Sequence, residues 1–466
     1  MRHRKLLLLF GCILALITLV RSVAPTRADE EPVIEIYKES EFLTAIQEHP
    51  DGNLQLLTDI DFSNLPQPWP SPDFSGTLDG NGHCLINLGS CVPSAVTQTT
   101  YDGNRKTYDT SFIGLFGNLN NAAVRNLRLI GVNISETLET DAFIGGIAGY
   151  ANDSVIENCE VTGSVRLDVT GKMFGVGGVI GYGNAVVRNC NVDVTLVNID
   201  NDASTRDEQF LGAICAAGYP DIEYCTVKLA GFISDHGYVH SGGLVGMYIV
   251  YPKRYSRDGF VRGNVLEGFI TFFEDNTNRR AYCVKDFGEV MDREFKTSGN
   301  DYDFKRDERK EYKVNLLPHG DCKTPKMNDE VIQGTCNEPG YTKHVCEACG
   351  YTYKDSYTLV AHTPAETATV ITAPTLDSSG LSESTCAVCG AKIVFDVAPL
   401  TPTPTLTPTP TMSPVTKTPS ASTPGSSNTS ENKDPDSSTP LWKPLLLAIL
   451  TGSAAAVILS LLRHRR

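Results

Sequence analysis

The chain has 466 residues, too many for one core, and carries 40 Lys and Arg against 55 Asp and Glu, a formal charge of −15. An acid excess of this size makes nucleic acid and anionic lipid surfaces poor partners, so no nucleic-acid role is expected. Several modules are expected instead.

Arg2, Arg4 and Lys5 precede an apolar run from Leu6 to Val20, and Thr26-Arg-Ala28 leads into Asp29 and Glu30. Residues 1–28 therefore read as a secretory signal peptide, and its loss takes five positive charges and moves the total from −15 to −20. Residues 29–73 read as an N-terminal cap for the repeats that begin after them. Val33–Tyr37 alternates as a strand, Glu39–Glu48 suits a helix capped by Ser40 with Phe42, Leu43 and Ile46 inward, and Leu54–Ile60 reads as a second strand.

Phe74-Ser-Gly-Thr-Leu-Asp-Gly-Asn-Gly-His83 carries two tight-turn pairs, Asp79-Gly80 and Asn81-Gly82. Leu85-Ile-Asn-Leu88 reads as the first coil of a repeat, and 89–110 as a polar loop. The repeat itself is plain. Phe112-Ile-Gly-Leu-Phe-Gly117, Phe143-Ile-Gly-Gly-Ile-Ala-Gly149, Val176-Gly-Gly-Val-Ile-Gly181, Leu211-Gly-Ala-Ile-Cys-Ala216 and Ser241-Gly-Gly-Leu-Val-Gly246 align. A second motif trails the first four: Val124-Arg-Asn-Leu127, Ile156-Glu-Asn-Cys159, Val187-Arg-Asn-Cys190 and Ile222-Glu-Tyr-Cys225, spaced 32, 31 and 35 residues.

Such periods belong to solenoids. Short alternating strands, glycine at the bends and no helical periodicity point to a mainly β chain with a right-handed parallel β-helix. In that fold Cys159, Cys190 and Cys225 stack as a reduced core ladder continuing Leu88 and Leu127. Asn87, Asn126, Asn158 and Asn189 form a second ladder, broken at Tyr224. Disulfides are the alternative, although three ladder members cannot all pair.

The Gly-Gly-Leu-Val-Gly units with their Phe-Ser-Gly-Thr-Leu-Asp-Gly-Asn-Gly-His lead-in resemble the GLUG-motif repeats of bacterial surface proteins. The resemblance covers residues 74–270; it implies a surface location and no catalytic residues. The β-helix is expected over 74–310, with dense mixed charge from Glu274 to Arg309 as an exit coil and solvated loop.

Residues 311–398 form a Cys-rich module of two copies, forty residues apart. The first reads Cys322-x13-Cys336-x9-Cys346-x2-Cys349; in the second, His362 and Leu376 precede Cys386 and Cys389. Both resemble the Cys-x-x-Cys-Gly repeats of secreted Gram-positive proteins. Cys322, Cys336, Cys346 and Cys349 are the expected ligands of a structural zinc ion, with His319 or His344 as substitutes. His362, Cys386 and Cys389 form a weaker second set, and paired disulfides are the alternative chemistry.

Residues 399–441, rich in Pro, Thr and Ser, read as a disordered stalk. Leu445–Leu462 is an 18-residue apolar run behind Trp442, so 442–462 reads as one transmembrane helix and Arg463-His-Arg-Arg466 as a cytoplasmic tail. The expected location is a cell membrane, single-pass and type I, on a Gram-positive surface.

No His-Glu-x-x-His, Gly-x-Ser-x-Gly or phosphate-binding lysine loop occurs. The expected function is non-enzymatic display or adhesion, with an extracellular glycan or protein ligand. A carbohydrate-active enzyme in a β-helix groove and a passive envelope protein are the alternatives.

Overall fold

The computed structural model describes residues 32–93, 96–99, 108–201, 207–234, 237–248, 260–273, 280–282, 287–290, 296–298, 301–306, 322 and 324–401. The expected signal peptide, the 249–258 part of the repeat insertion, most of the stalk, the 442–462 segment and the tail lie outside them. Among the described residues no helix is long and apolar enough to cross a membrane. The α-helix they contain, Phe42–Glu48, spans roughly 10 Å against a hydrocarbon core of about 30 Å. The expected single-pass membrane placement is corrected accordingly and is not carried forward.

Four largely parallel sheets of nine, eight, seven and six strands run along a β-solenoid. One coil shows how the sequence lays them down. Asp141–Gly145 and Ala148–Asn152 form two glycine-rich strands, Val155–Glu157 a short strand, and Glu160–Val169 a long one. Each pairs with the same segment of the coils before and after: Ile156 lies between Val124 and Val187, and Val161 between Leu129 and Val192. Alternation on the short strand turns Leu78, Val124, Ile156, Val187, Ile222 and Val261 inward, all 0% exposed.

The outward position of that strand alternates in sign along the stack. Asp79 pairs with Arg125, Arg125 with Glu157, Glu157 with Arg188, Arg188 with Glu223, and Glu223 with Arg262. Arg188 Nε donates to Glu157 Oε2 at 2.7 Å, and Arg262 Nη2 lies 2.9 Å from Glu223 Oε1. Opposite charges on adjacent strands support one register, because a shift by one coil would set like charges together.

A sharp corner joins the short and long strands. Asn126, Asn158 and Asn189 occupy it with φ of 52°, 54° and 53°, the left-handed region that Asn tolerates better than most residues. Asn158 Nδ2 donates to Asn126 Oδ1 at 3.3 Å, and Asn126 Nδ2 to Asp79 Oδ1 at 3.0 Å. The next residues, Leu127, Cys159, Cys190 and Cys225, are buried as a ladder, and the three cysteines are free thiols.

Leu88 and Asn87 do not belong to these ladders. The strand Cys84–Ile86 pairs with Arg128–Ile130 of the long-strand sheet, one face further round the coil than the motif match implied. The counterpart of Val124 is Leu78, in the Phe74–His83 lead-in.

The repeated glycines have a packing reason. A Cβ on Gly149 would lie 2.2 Å from Ile113 N, and one on Gly181 would lie 2.8 Å from Ile144 N. The two glycine-rich sheets thus meet backbone to backbone across neighbouring coils. Phe112, Phe143 and Phe210 fill the seam as a cluster separate from the main core, joined at its edge by Tyr150 and Tyr182. Gly175 stands at the ladder position between Phe143 and Phe210, and their rings close over the gap to 5.9 Å.

The ends show smaller differences from expectation. Residues 39–41 form a 3-10 turn before the helix, so Ser40 lies inside the turn and caps nothing. Phe42 and Ile46 are buried and Leu43 packs against the core, as the apolar spacing requires. Within 89–110, Val96–Thr99 pairs antiparallel with Tyr108–Ile113 at the sheet edge. The 274–310 region contributes an exit coil: strands Arg280–Tyr282, Phe287–Val290, Lys296–Ser298 and Asp301–Arg306 each pair in parallel with the coil before. Each Cys-rich copy is a three-stranded antiparallel sheet.

Candidate metal centres

The strands of the first Cys-rich copy are Met327–Ile332, Gly340–Cys346 and Thr352–Thr358; those of the second are Thr369–Thr372, Gly380–Thr385 and Lys392–Val397. In each copy the Cys-x-x-Cys pair sits at the end of the middle strand, Cys346 as its last residue and Cys386 just after it. Gly350 and Gly390, immediately after the pairs, have φ of 74° and 75°, and their N–H groups donate to Cys346 O and Cys386 O at 2.9 Å. The fifth residue of the motif must reverse the chain in the left-handed region, which glycine does at no steric cost.

The seven expected ligands fall into two clusters. Cys336, His362, Cys386 and Cys389 bring their ligand atoms within 4.8 Å of one another, and so do Cys322, Cys346 and Cys349. Cys336 is therefore placed with the second copy and not with its own. The reason is the length of a strand. Cys336 lies in the turn before Gly340–Cys346, and that strand holds it roughly 20 Å from Cys346 at about 3.3 Å per residue. Its counterpart in the second copy, Leu376, is 60% exposed. His344 joins neither cluster: its ring nitrogens lie 2.7 Å from Asp329 and 2.8 Å from Asp355, and its ring stacks on Tyr353. His319 lies outside the described residues.

Either cluster could hold a metal ion, and the donor chemistry selects a soft one. Thiolates with imidazole favour zinc over hard, oxygen-seeking cations. At Zn–S bonds of ~2.3 Å, a tetrahedral edge is roughly 3.8 Å. Cys386 Sγ and Cys336 Sγ lie 3.9 Å apart, and Cys322 Sγ and Cys346 Sγ 3.7 Å. Backbone N–H groups of Cys389 and Val388 stabilise the Cys386 thiolate and bring its pKa down to about 5 against the opposing effect of burial. At Cys346 burial also opposes ionisation, but the N–H groups of Cys349 and Ala348 outweigh it and bring the thiol down to about 6.

The four-ligand cluster opens on a cleft of about 240 Å³ where both copies meet the solenoid. Asp59, between the cap strands Asn53–Leu56 and Ile60–Asp61, reaches into it. Its Oδ1 lies 3.1 Å from His83 Nδ1 and accepts from Cys84 N–H at 2.8 Å. Burial works against its charge, but these bonds prevail and hold the carboxyl below the usual range. His362 Nδ1 faces Cys389 Sγ at 3.4 Å, while its Nε2 lies 4.0 Å from Asp59 Oδ2.

The module also docks further along. Arg128 donates to Glu160 Oε2 within the solenoid at 2.8 Å, and to Asn337 O and Glu338 Oε2 of the first copy at 2.8 and 2.7 Å. Tyr357 packs on Cys84, Ile86 and Ile130. Sequence reasoning missed this whole interface, since neither Asp59 nor Arg128 carries a local motif. The interleaving of Cys336 had one signal: the second copy has a ligand type at its first position and none at its second.

The fold thus defines a parallel β-solenoid protein with an appended, metal-competent Cys/His module. Residues 144–166 match the model of the GLUG motif, which supports a GLUG-repeat protein; the match runs from Ile144, through the glycine corner and the short strand, to Arg166 in the long strand. No curated protein matches the chain. The motif and the fold are compatible with a surface protein.

Proposed function

We propose that the chain is a non-enzymatic display protein that binds a glycan or protein ligand through its β-solenoid. Its coil is right-handed, the sense that parallel crossovers adopt in nearly all sheets. One observation carries this reading. Tyr150 and Tyr182, half-buried on consecutive coils, stack at 6.0 Å with 14° between their planes at the rim of the glycine seam. Registered rings on a stiff sheet offer a preformed apolar surface with polar tips, at little entropy cost on binding.

Screening the full chain on glycan and extracellular-protein arrays tests it. Saturable binding is expected, weakened roughly tenfold by Tyr150→Ala with Tyr182→Ala, the scale of two lost ring contacts. A flat response on every array would favour a passive structural role.

A carbohydrate-active enzyme is the second reading, and the cleft favours it. Asp59, Glu338 and Lys392 line that cleft. Yet Asp59 is engaged by His83 and Cys84 N–H, and Glu338 by Arg128, which supports binding over hydrolysis. Product release from an arrayed glycan would reverse this preference.

A further inference from the structure

We propose that Cys336, His362, Cys386 and Cys389 form a structural zinc site that locks the first Cys-rich copy to the second, with Asp59 of the solenoid as the outer partner of His362. Three thiolates and one imidazole complete a tetrahedron, leaving no open position for a reacting water. Edge lengths agree: the Cys336–Cys386 sulfurs are 3.9 Å apart, and Cys389 Sγ lies 3.4 Å from His362 Nδ1, close to the roughly 3.6 Å edge of a mixed S/N site.

His362 then ligates through Nδ1 and turns Nε2 toward Asp59 Oδ2. Histidine ligands characteristically present their second ring nitrogen to a carboxylate, which fixes ring orientation and raises ligand basicity. Asp59 is suited to this because His83 and Cys84 N–H already hold its other oxygen. One ion would thereby tie together three stretches of chain far apart in sequence: the solenoid cap, the 332–340 turn and the second copy.

Zinc at this site is independent of any ligand the solenoid binds. The full chain, reduced and stripped of metal, is titrated with zinc against a chromophoric chelator, in a Cys322→Ser background that removes the first cluster. One equivalent of tight zinc is expected. Cys336→Ser and Cys386→Ser should each weaken it at least 100-fold, with no additive loss when combined, and Cys336→His should restore binding. Asp59→Asn should weaken zinc 10- to 100-fold, the usual scale for an outer-shell carboxylate. Unchanged zinc in Cys336→Ser would overturn the shared site. So would less than half an equivalent of zinc in the protein as purified, with no titratable thiols at these positions before reduction, which would mean disulfides. Asp59→Asn binding within twofold of its parent would overturn the solenoid's part. Should Cys336→Ser fail to fold, Cys336→His decides: loss of zinc there also refutes the site.

Discussion

The ring of Tyr224 occupies the space beside Gly263 where a side chain would start: a Cβ on Gly263 would lie 2.5 Å from Tyr224 Cδ1. Both stand at the left-handed corner of their coils, with φ of 55° and 66°, where earlier coils place Asn. Tyr224 keeps the backbone of the ladder and changes only what projects from it. Arg262 lies over its ring at 5.7 Å.

Gly263→Ala should therefore destabilise by about 2 kcal/mol, combining left-handed strain with displacement of the Tyr224 ring, which is 55% exposed, from its place beside Arg262. Tyr224→Asn should remove the clash, so the double variant should recover roughly half of the loss. Denaturant midpoints of the four proteins measure this. Strictly additive losses would show that the two residues do not oppose each other.

The alternation Asp79, Arg125, Glu157, Arg188, Glu223, Arg262 predicts a cost of misplaced charge. Exposed ion pairs contribute little singly, and Arg188 is 44% exposed. Arg188→Glu, however, sets three acids on adjacent strands. A loss of about 1–2 kcal/mol is expected at low salt, shrinking by half or more in 1 M NaCl, where the Debye length falls to ~3 Å. A loss unaffected by salt would point to packing of the Arg188 stem instead.

The solenoid was legible because its physics is local and repeated. An inward apolar residue, an outward charge, a corner Asn and a small inward residue recur in every Val-Arg-Asn-Leu or Ile-Glu-Asn-Cys unit. The fifth unit, Phe260-Val-Arg-Gly-Asn264, is hidden in the sequence because Gly replaces the corner Asn and Asn264 replaces the cysteine. Asn264 is nevertheless 0% exposed, accepting from Cys225 N–H at 2.8 Å and donating to Ile222 O at 3.1 Å. A polar residue continued an apolar ladder by satisfying the backbone around it. The charge alternation was equally readable, but only once residues 31 to 46 apart are set side by side. The metal clusters were half legible. Residue types betrayed them, while the partition depended on strand length, which spacing alone does not convey. The contacts of Asp59 and Arg128 with the module depend on how two folded surfaces meet, and no local pattern encodes that.

The ladder thiols should be silent in the folded protein. Hydrogen bonding to Cys190 and burial both push Cys159 and Cys225 up, and burial alone raises Cys215. The same hydrogen bonds, with Cys159 and Cys225, lower Cys190, but at 2% exposure it is no more accessible than its neighbours, and inaccessible thiols neither alkylate nor oxidise readily. Brief iodoacetamide labelling at pH 8, read by peptide mass mapping, should spare Cys159, Cys190, Cys215 and Cys225 and modify exposed Cys349 in metal-free protein. Labelling of Cys215 or of the ladder cysteines at a rate near that of Cys349 would mean that the coil stack opens.

His240 provides a pH test of the same interior. It is 4% exposed, and its ring stacks on Phe210 at 5.1 Å, extending the aromatic seam. Burial pushes its pKa down from 6.5 to about 4, so folding favours the neutral ring. The unfolded chain then binds the proton more readily between these two values. The contribution is fully present above about pH 6.5, falls as pH drops through the window, and is exhausted below about pH 4. A shift of that size is worth at most about 3 kcal/mol. Carboxylates titrate near the lower end of this window, so the informative quantity is the stability difference between wild type and His240→Phe, which keeps the ring and removes the titration. That difference should move in favour of the variant steadily from pH 7 to pH 4. A constant difference across the range would show that His240 gains its proton in the folded protein as easily as in the unfolded chain.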